Sequence, residues 1–230
     1  MMKSKIIVVV GASRGIGKAM VDLFAADTNN QVLALSRNVD KMNAAFSKYD
    51  NVKCSALDLN RTDVRSKCTA IFSELESIDI LINNAGVLVN KPFTELTRED
   101  FEDCYSVNVI SVMETVQAAL GKMNSGHIVN ISSVGGFQGS VKFPGLTAYS
   151  TSKAALCSFT ELFAEEYKDS KIKMNCLALG AAQTEMLEEA FPGYEAPVTA
   201  EKMAEYIVDF SINADQWMNG KIIQVSLSTP

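Results

Sequence analysis

The 230-residue chain is 47% hydrophobic and 21% charged with a formal net charge of -6, the composition expected of a globular protein rather than a disordered one. That acidic balance supplies no broad cationic field, so neither nucleic acid nor an anionic membrane is an expected partner. No apolar stretch approaches the ~18 residues needed to cross a bilayer.

Lys3, Lys5 and the run Ile6–Val10 imitate an export signal, but the run is short and leads straight to Arg14, so a buried first strand is the expected reading. The five cysteines (Cys54, Cys68, Cys104, Cys157, Cys176) form no Cys-x-x-Cys pair and read as reduced thiols, which makes a cytoplasmic location the expectation. His127 is the single histidine, which argues against His-dependent triads and His-rich metal sites. Proton chemistry must fall to another side chain, and no metal is expected.

Strands are predicted at Lys5–Val10, Gln31–Ser36, Val52–Ala56, Ile78–Asn83, His127–Ser132, Lys171–Leu177 and Lys221–Val225. Helices are predicted over Gly15–Ala26, Val39–Lys48, Thr62–Leu75, Arg98–Met123, Tyr149–Tyr167 and Ala200–Ser211, with Thr97, Glu99 and Asp100 marking the acidic start of the fourth. The alternation predicts an α/β fold, a mainly parallel sheet with helices on both faces. Neither a repeat nor a linker interrupts it, so residues 1–230 are expected to form one domain. The irregular stretches 134–148 and 180–197 each follow a strand's carboxyl end, where such sheets bind ligands, and are expected to wall the substrate pocket.

Gly11, Gly15 and Gly17, with Ser13, Arg14 and Ile16 between them, join the first strand to the first helix. Glycines there permit a tight turn and let a pyrophosphate approach backbone N–H groups at a helix N-terminus. Tyr149 and Lys153 stand four residues apart, which places them on one helix face, one turn apart. A free tyrosine titrates near ~10, and a neighbouring ammonium is expected to draw it down.

These features occur in a fixed order along nearly the whole chain. Asn83-Asn-Ala-Gly86 follows the fourth strand, Asn108 lies in the fourth helix, Asn130-Ile-Ser-Ser133 ends the fifth strand, and Tyr149-Ser-Thr-Ser-Lys153 opens the next helix. Together with the Gly-x-x-x-Gly-x-Gly spacing, the set resembles the short-chain dehydrogenase/reductase family. The resemblance implies a Rossmann-type doubly wound sheet of strand order 3-2-1-4-5-6-7 and hydride transfer between a nicotinamide cofactor and a carbonyl or alcohol.

By the same resemblance, Tyr149 is the general acid/base, Lys153 tunes it and holds ribose hydroxyls, and Ser133, or Ser132 beside it, binds the carbonyl oxygen. Asn108 is implied to hold a water that connects Lys153 to solvent. Asp58 with Leu59 is implied at the adenine, Asn84, Ala85 and Gly86 beside the adenosine ribose, and Gly180 and Thr184 near the nicotinamide. Ser36, Arg37 and Asn38 end the second strand where an acid would favour NADH, and Arg37 with Arg14 suits a 2′-phosphate. NADP(H) is therefore expected over NAD(H).

Several positions depart from the family pattern. Val10 replaces a threonine, Leu179 precedes Gly180 where proline is usual, and Ser133 stands 16 positions before Tyr149, a longer gap than is customary. The end lacks the usual Asp-Gly-Gly segment, which puts the common tetramer in doubt, although a tetramer stays possible. A homodimer through the fourth and fifth predicted helices is implied by the resemblance. Phe137, Val141, Phe143 and Leu146, with Met186, Leu187, Phe191 and Tyr194, are expected to line an apolar pocket. Lys142 is the only cation in these loops, against Glu185, Glu188, Glu189 and Glu195, which disfavours polyanionic substrates and acidic carrier proteins. A small-molecule ketone, aldehyde or alcohol is the expected substrate. The alternative is a catalytically silent NADP(H)-sensing regulatory or scaffold protein.

Overall fold

A computed structural model describes residues 4–227; Lys3, part of the basic start considered above, lies outside them. Among the described residues, β1 (Ile6–Val10), β2 (Gln31–Ser36), β3 (Val52–Ala56), β4 (Ile80–Asn83), β5 (Gly126–Ser133), β6 (Ile172–Leu179) and β7 (Ile222–Val225) form a seven-stranded sheet. Its order is β3-β2-β1-β4-β5-β6-β7 and every neighbouring pair is parallel, as the resemblance implies. The helices are α1 (Gly15–Ala25), α2 (Val39–Phe46), α3 (Val64–Ser73), α4 (Arg98–Tyr105), α5 (Ser111–Ala119), α6 (Thr147–Glu166), α7 (Glu185–Ala190) and α8 (Ala200–Asn213).

Burial on both faces explains the unbroken apolar strands. In β1, Ile7 and Val9 enter a core with Met20 and Phe24 of α1, Met42 of α2 and Ile207 of α8. Val8 and Val10 point the other way, against Val64 and Phe72 of α3, Val116 of α5 and Phe163 of α6. Side chains alternate along a strand, so only a run apolar at every position can feed two cores. Each such side chain contributes roughly 1.5–3 kcal/mol. The strand order reverses at β1 and β4, which leaves a crevice beyond their carboxyl ends.

The fourth helix begins as predicted. Thr97 Oγ1 accepts from Asp100 N at 3.2 Å, and Asp100 Oδ2 accepts from Thr97 N at 2.9 Å, a reciprocal capping box. It is not one helix to Met123, however. α4 gives way to a π-helical turn over Ser106–Ile110 before α5, and a short 3-10 turn over Leu120–Lys122 ends the run. Ser111 and Thr115 return their hydroxyls to the Val107 and Ser111 carbonyls, each at 2.7 Å, which adjusts the backbone on the α5 side. The π turn carries Asn108, fully buried, toward α6.

The 180–197 stretch also differs from expectation, because it contains α7. Thr184 caps that helix, accepting from Leu187 N at 3.3 Å. Its neck is closed by Gln183, whose N donates to Val198 O at 2.8 Å and whose Oε1 accepts from Ala196 N at 2.8 Å. Elsewhere the differences are at most two residues at any element end, with α6 starting at Thr147 and β6 running on to Leu179.

Candidate functional site

A cleft of about 910 Å³ opens at the strand-order reversal, walled by the glycine turn, the ends of β2, β4 and β5, the start of α6, and α7. The glycine turn is shaped for close backbone approach. Gly11 takes φ +88°, a left-handed conformation, and a Cβ on Gly17 would lie 2.0 Å from Gly11 O. Arg14 provides no side-chain cap to α1, so the first-turn amides face the cleft without a side-chain acceptor. That arrangement fits a pyrophosphate.

Ser13 Oγ and Ser36 Oγ meet at 2.9 Å, tying the turn to the end of β2, and the exposed Arg37 adjoins them on the cleft wall. Asn38 is different. It caps α2 by accepting from Lys41 N at 2.9 Å and does not line the cleft, because local capping claims its side chain. Arg14 lines the cleft, but its guanidinium is held by both oxygens of Glu189 on α7. Asp58 and Leu59 sit on the same wall, with Asp58 Oδ1 accepting from Asn60 N at 3.1 Å. Asn84 Nδ2 donates to Gly11 O at 2.9 Å, which fixes the glycine turn to the loop after β4. These residues, with Ile16, Ala85, Gly86 and Gly180, surround a space and donor set that fit a dinucleotide. Among the described residues, no group of three His, Cys, Asp or Glu side chains could hold a metal ion.

At the other end, Tyr149 and Lys153 lie on the cleft face of α6. Ser133 shares the cleft with Tyr149, near enough to favour its phenolate, and accepts from Gly135 N at 3.2 Å. Ser132 turns into α6 instead, donating to Lys153 O at 2.8 Å and accepting from Cys157 Sγ at 3.4 Å. Of the two serines, Ser133 is the one that meets Tyr149. The long Ser-to-Tyr gap does not separate them, because Gly136 lies flat on α6. A Cβ there would stand 2.6 Å from the carbonyl carbon of Lys153.

Lys153 is 3% exposed and donates from Nζ to Ile131 O at 2.8 Å, with Nζ 5.9 Å from the Tyr149 ring centroid. Burial pushes Tyr149 up to about 12, opposed only in part by the nearby Ser133 hydroxyl, and burial pushes Lys153 down to about 8. The expected pull of the ammonium on the tyrosine is therefore outweighed within the chain itself. The physical reason is aim: Lys153 spends its bond on a backbone carbonyl rather than on the phenol.

Asn108 holds position. Its Oδ1 accepts from Val87 N, and its Nδ2 donates to Val87 O and Ser152 Oγ, all at 2.9 Å. Both amide protons are used inside the protein, so its side chain braces α6 against the loop after β4 instead of presenting donors to a relay water. Beneath it, Asn83 Nδ2 donates to Asn130 Oδ1 at 2.9 Å and Asn130 Nδ2 to Thr160 Oγ1 at 3.0 Å, linking β4, β5 and α6.

The mouth is apolar, formed by Phe143, Leu146, Met186, Leu187, Phe191 and Tyr194. Phe137 and Val141, expected with them, do not line it. The loop carrying them is folded on itself: Lys142 Nζ donates to Gly135 O at 3.0 Å and to Phe137 O at 2.5 Å, and meets Ser140 Oγ at 2.9 Å. Lys142 is thus a structural tie. Asn90 was not anticipated: Nδ2 donates to Ala190 O at 3.0 Å across the cleft. Its only sequence signal is the turn-forming Asn-Lys-Pro. Gly135-Gly136, one residue beyond the end of β5, is the sign in the sequence of a close backbone approach.

A crevice of this kind, where the order of a parallel sheet reverses, places the fold among the Rossmann-type dinucleotide binders. Residues 5–195 match the family description short chain dehydrogenase, and the chain belongs to that oxidoreductase family. It is 29% identical to a 3-oxoacyl-acyl-carrier-protein reductase of Aquifex aeolicus, over 98% of this chain and 97% of the relative. It is 34% identical to an L-2,3-butanediol dehydrogenase of Corynebacterium glutamicum, over 81% and 75% of the two chains. A solved short chain dehydrogenase of Burkholderia cenocepacia, in complex with NADP, shares the fold at TM-score 0.87 and 24% identity, covering 98% of this chain and 97% of that one.

Proposed function

We propose that this chain is an NADPH-dependent reductase of a small or medium apolar ketone or aldehyde, built as one domain with substrate loops at 134–148 and 180–197. The observation that carries the reading is the convergence of Ser133, Tyr149 and Lys153 on one cleft, with Lys153 buried one helical turn along α6 from Tyr149.

Bound NADPH supplies the hydride. Ser133 holds the carbonyl oxygen and stabilises negative charge as it develops there. Tyr149, raised to about 12, stays protonated at neutral pH, and a developing alkoxide is basic enough to take its proton. This favours the reducing direction. Lys153 holds ribose hydroxyls and supplies positive charge behind the phenol. Asn108 acts as a positioning residue by fixing α6 through Ser152.

Support for NADPH is the absence of a carboxylate at Ser36-Arg37-Asn38 together with the exposed Arg37 on the cleft wall. The apolar mouth suits a small substrate such as the diol named for the butanediol dehydrogenase. The carrier-protein substrate named for the Aquifex relative fits less well, since Glu185, Glu188, Glu189 and Glu195 gather on one loop. Exposed Tyr105, Ile110 and Leu162 on α4, the π turn and α6 support a homodimer, and sedimentation giving a two-chain mass checks it. Five free cysteines suit a cytoplasmic setting.

The test is a panel of ketones, aldehydes and alcohols followed by NADPH absorbance. Turnover that disappears in Tyr149→Phe, with NADPH binding retained, supports the reading. Tight NADPH binding with no turnover across the panel overturns it in favour of a cofactor-sensing protein.

A further inference from the structure

The C-terminal end of α7 is held by two anchors, one at each of two adjacent residues. Toward the cofactor wall, Glu189 grips the Arg14 guanidinium bidentately, with Nη2 at 3.0 Å from Oε2. Toward the opposite wall, the adjacent carbonyl of Ala190 accepts from Asn90 Nδ2 at 3.0 Å. The Gln183 bonds to Val198 and Ala196 fix the neck of the loop, so its tip is held by these two pins.

The pins differ in kind. Asn90–Ala190 joins an amide to a carbonyl, and an anion does not compete for it. Arg14–Glu189 is ionic, and its side chains are 39% and 63% exposed, so it is a weak tie in water. Arg14 also belongs to the turn where Ser13 meets Ser36 beside Arg37. A phosphate dianion arriving there seeks the same planar donor fork that Glu189 occupies.

Resting on the NADPH reading above, we propose that Glu189 is a cofactor-discriminating residue. A cofactor bearing a 2′-phosphate takes Arg14 from Glu189 and frees the tip of the loop at one pin, whereas NADH leaves both pins in place. Cofactor identity is thereby communicated to the substrate loop through one shared arginine.

Hydrogen–deuterium exchange on the full chain, alone and saturated with NADPH or NADH, separates the outcomes. Both cofactors should slow exchange across residues 11–17, and NADPH should give faster exchange than NADH across 185–191. Glu189→Gln should erase that difference and tighten NADPH binding by about 2- to 5-fold, read by cofactor fluorescence, with NADH affinity unchanged. Equal exchange across 185–191 with both cofactors, while 11–17 is protected by each, overturns the proposal and leaves the NADPH reading standing. Unchanged NADPH affinity in Glu189→Gln does the same. Failure of NADPH to protect 11–17 at all overturns the cofactor reading itself, and this inference with it.

Discussion

Lys153 donates from Nζ to the Ile131 carbonyl at 2.8 Å, so the ammonium of α6 is anchored to the backbone of β5 in an almost fully buried position. Its pKa falls to about 8 because burial penalises the charge. Between pH ~8 and ~10.5 the unfolded chain binds a proton at this lysine that the folded chain does not, so folding stability rises with pH across that window. Relative to Lys153→Met, wild-type stability should climb by about 3 kcal/mol from pH ~8 to ~10.5. Urea unfolding of both chains at several pH values checks this, since the other titrating groups cancel in the difference. A flat difference would mean that the lysine is solvated in the folded state.

The flat contact of Gly136 on α6 should tolerate no side chain. A Cβ there meets backbone atoms of Lys153 and Ala154 at 2.6 and 2.7 Å, and a helix backbone cannot move aside cheaply. Gly136→Ala is expected to destabilise by roughly 1–3 kcal/mol and to lower kcat by shifting Ser133 from Tyr149. Gly121→Ala, with nothing within 4 Å of the new methyl, is the control and should leave both unchanged.

His127 gives a test that needs no assignment, as it is the only histidine. Its Nδ1 faces Ser211 O at 3.0 Å and its Nε2 faces Asn175 Nδ2 at 2.9 Å, which calls for the neutral ring with the proton on Nδ1. Burial lowers its pKa, so below pH ~6.5 the unfolded chain binds the extra proton and stability falls as pH falls. In tag-free protein the single imidazole signal should show no titration at pH ~6.5 by NMR. A midpoint there would contradict the buried neutral ring.

Cofactor preference should turn on Arg37. Arg37→Asp places a carboxylate where a 2′-phosphate is expected and should raise the Kd for NADPH by roughly 10-fold or more while leaving or improving NADH binding. Fluorescence titration with both cofactors decides it. An unchanged NADPH preference would move the phosphate contact away from the end of β2.

The strands were legible because double-sided burial forces apolar, β-branched residues at consecutive positions, as in Ile6–Val10. The π turn at Asn108 was not, because one extra residue in a helical turn leaves the surrounding apolar spacing readable as a continuous helix. α7 was hidden by its six residues, too few to show a period. In the site, Tyr149 and Lys153 could be paired from spacing alone, and the Ser133 partnership came from motif order. The Arg14–Glu189 and Asn90–Ala190 contacts join residues 175 and 100 positions apart, and local pattern carries no record of such pairs. Asn38 shows the opposite failure, since a residue type suited to a ligand is equally suited to a cap.

The tie that Lys142 and Ser140 make within their own loop has a consequence for how this protein can change over time. The loop is stitched to its own carbonyls, anchored on one side where Gly136 meets α6 and on the other where Lys91 N donates to Gly145 O at 3.0 Å. Residues added or lost between those anchors should be absorbed locally, without pulling on Ser133 or Tyr149. The segment therefore behaves as an interchangeable cassette at the mouth of the cleft, where new lengths and sequences can be sampled while the groups beneath it stay in register.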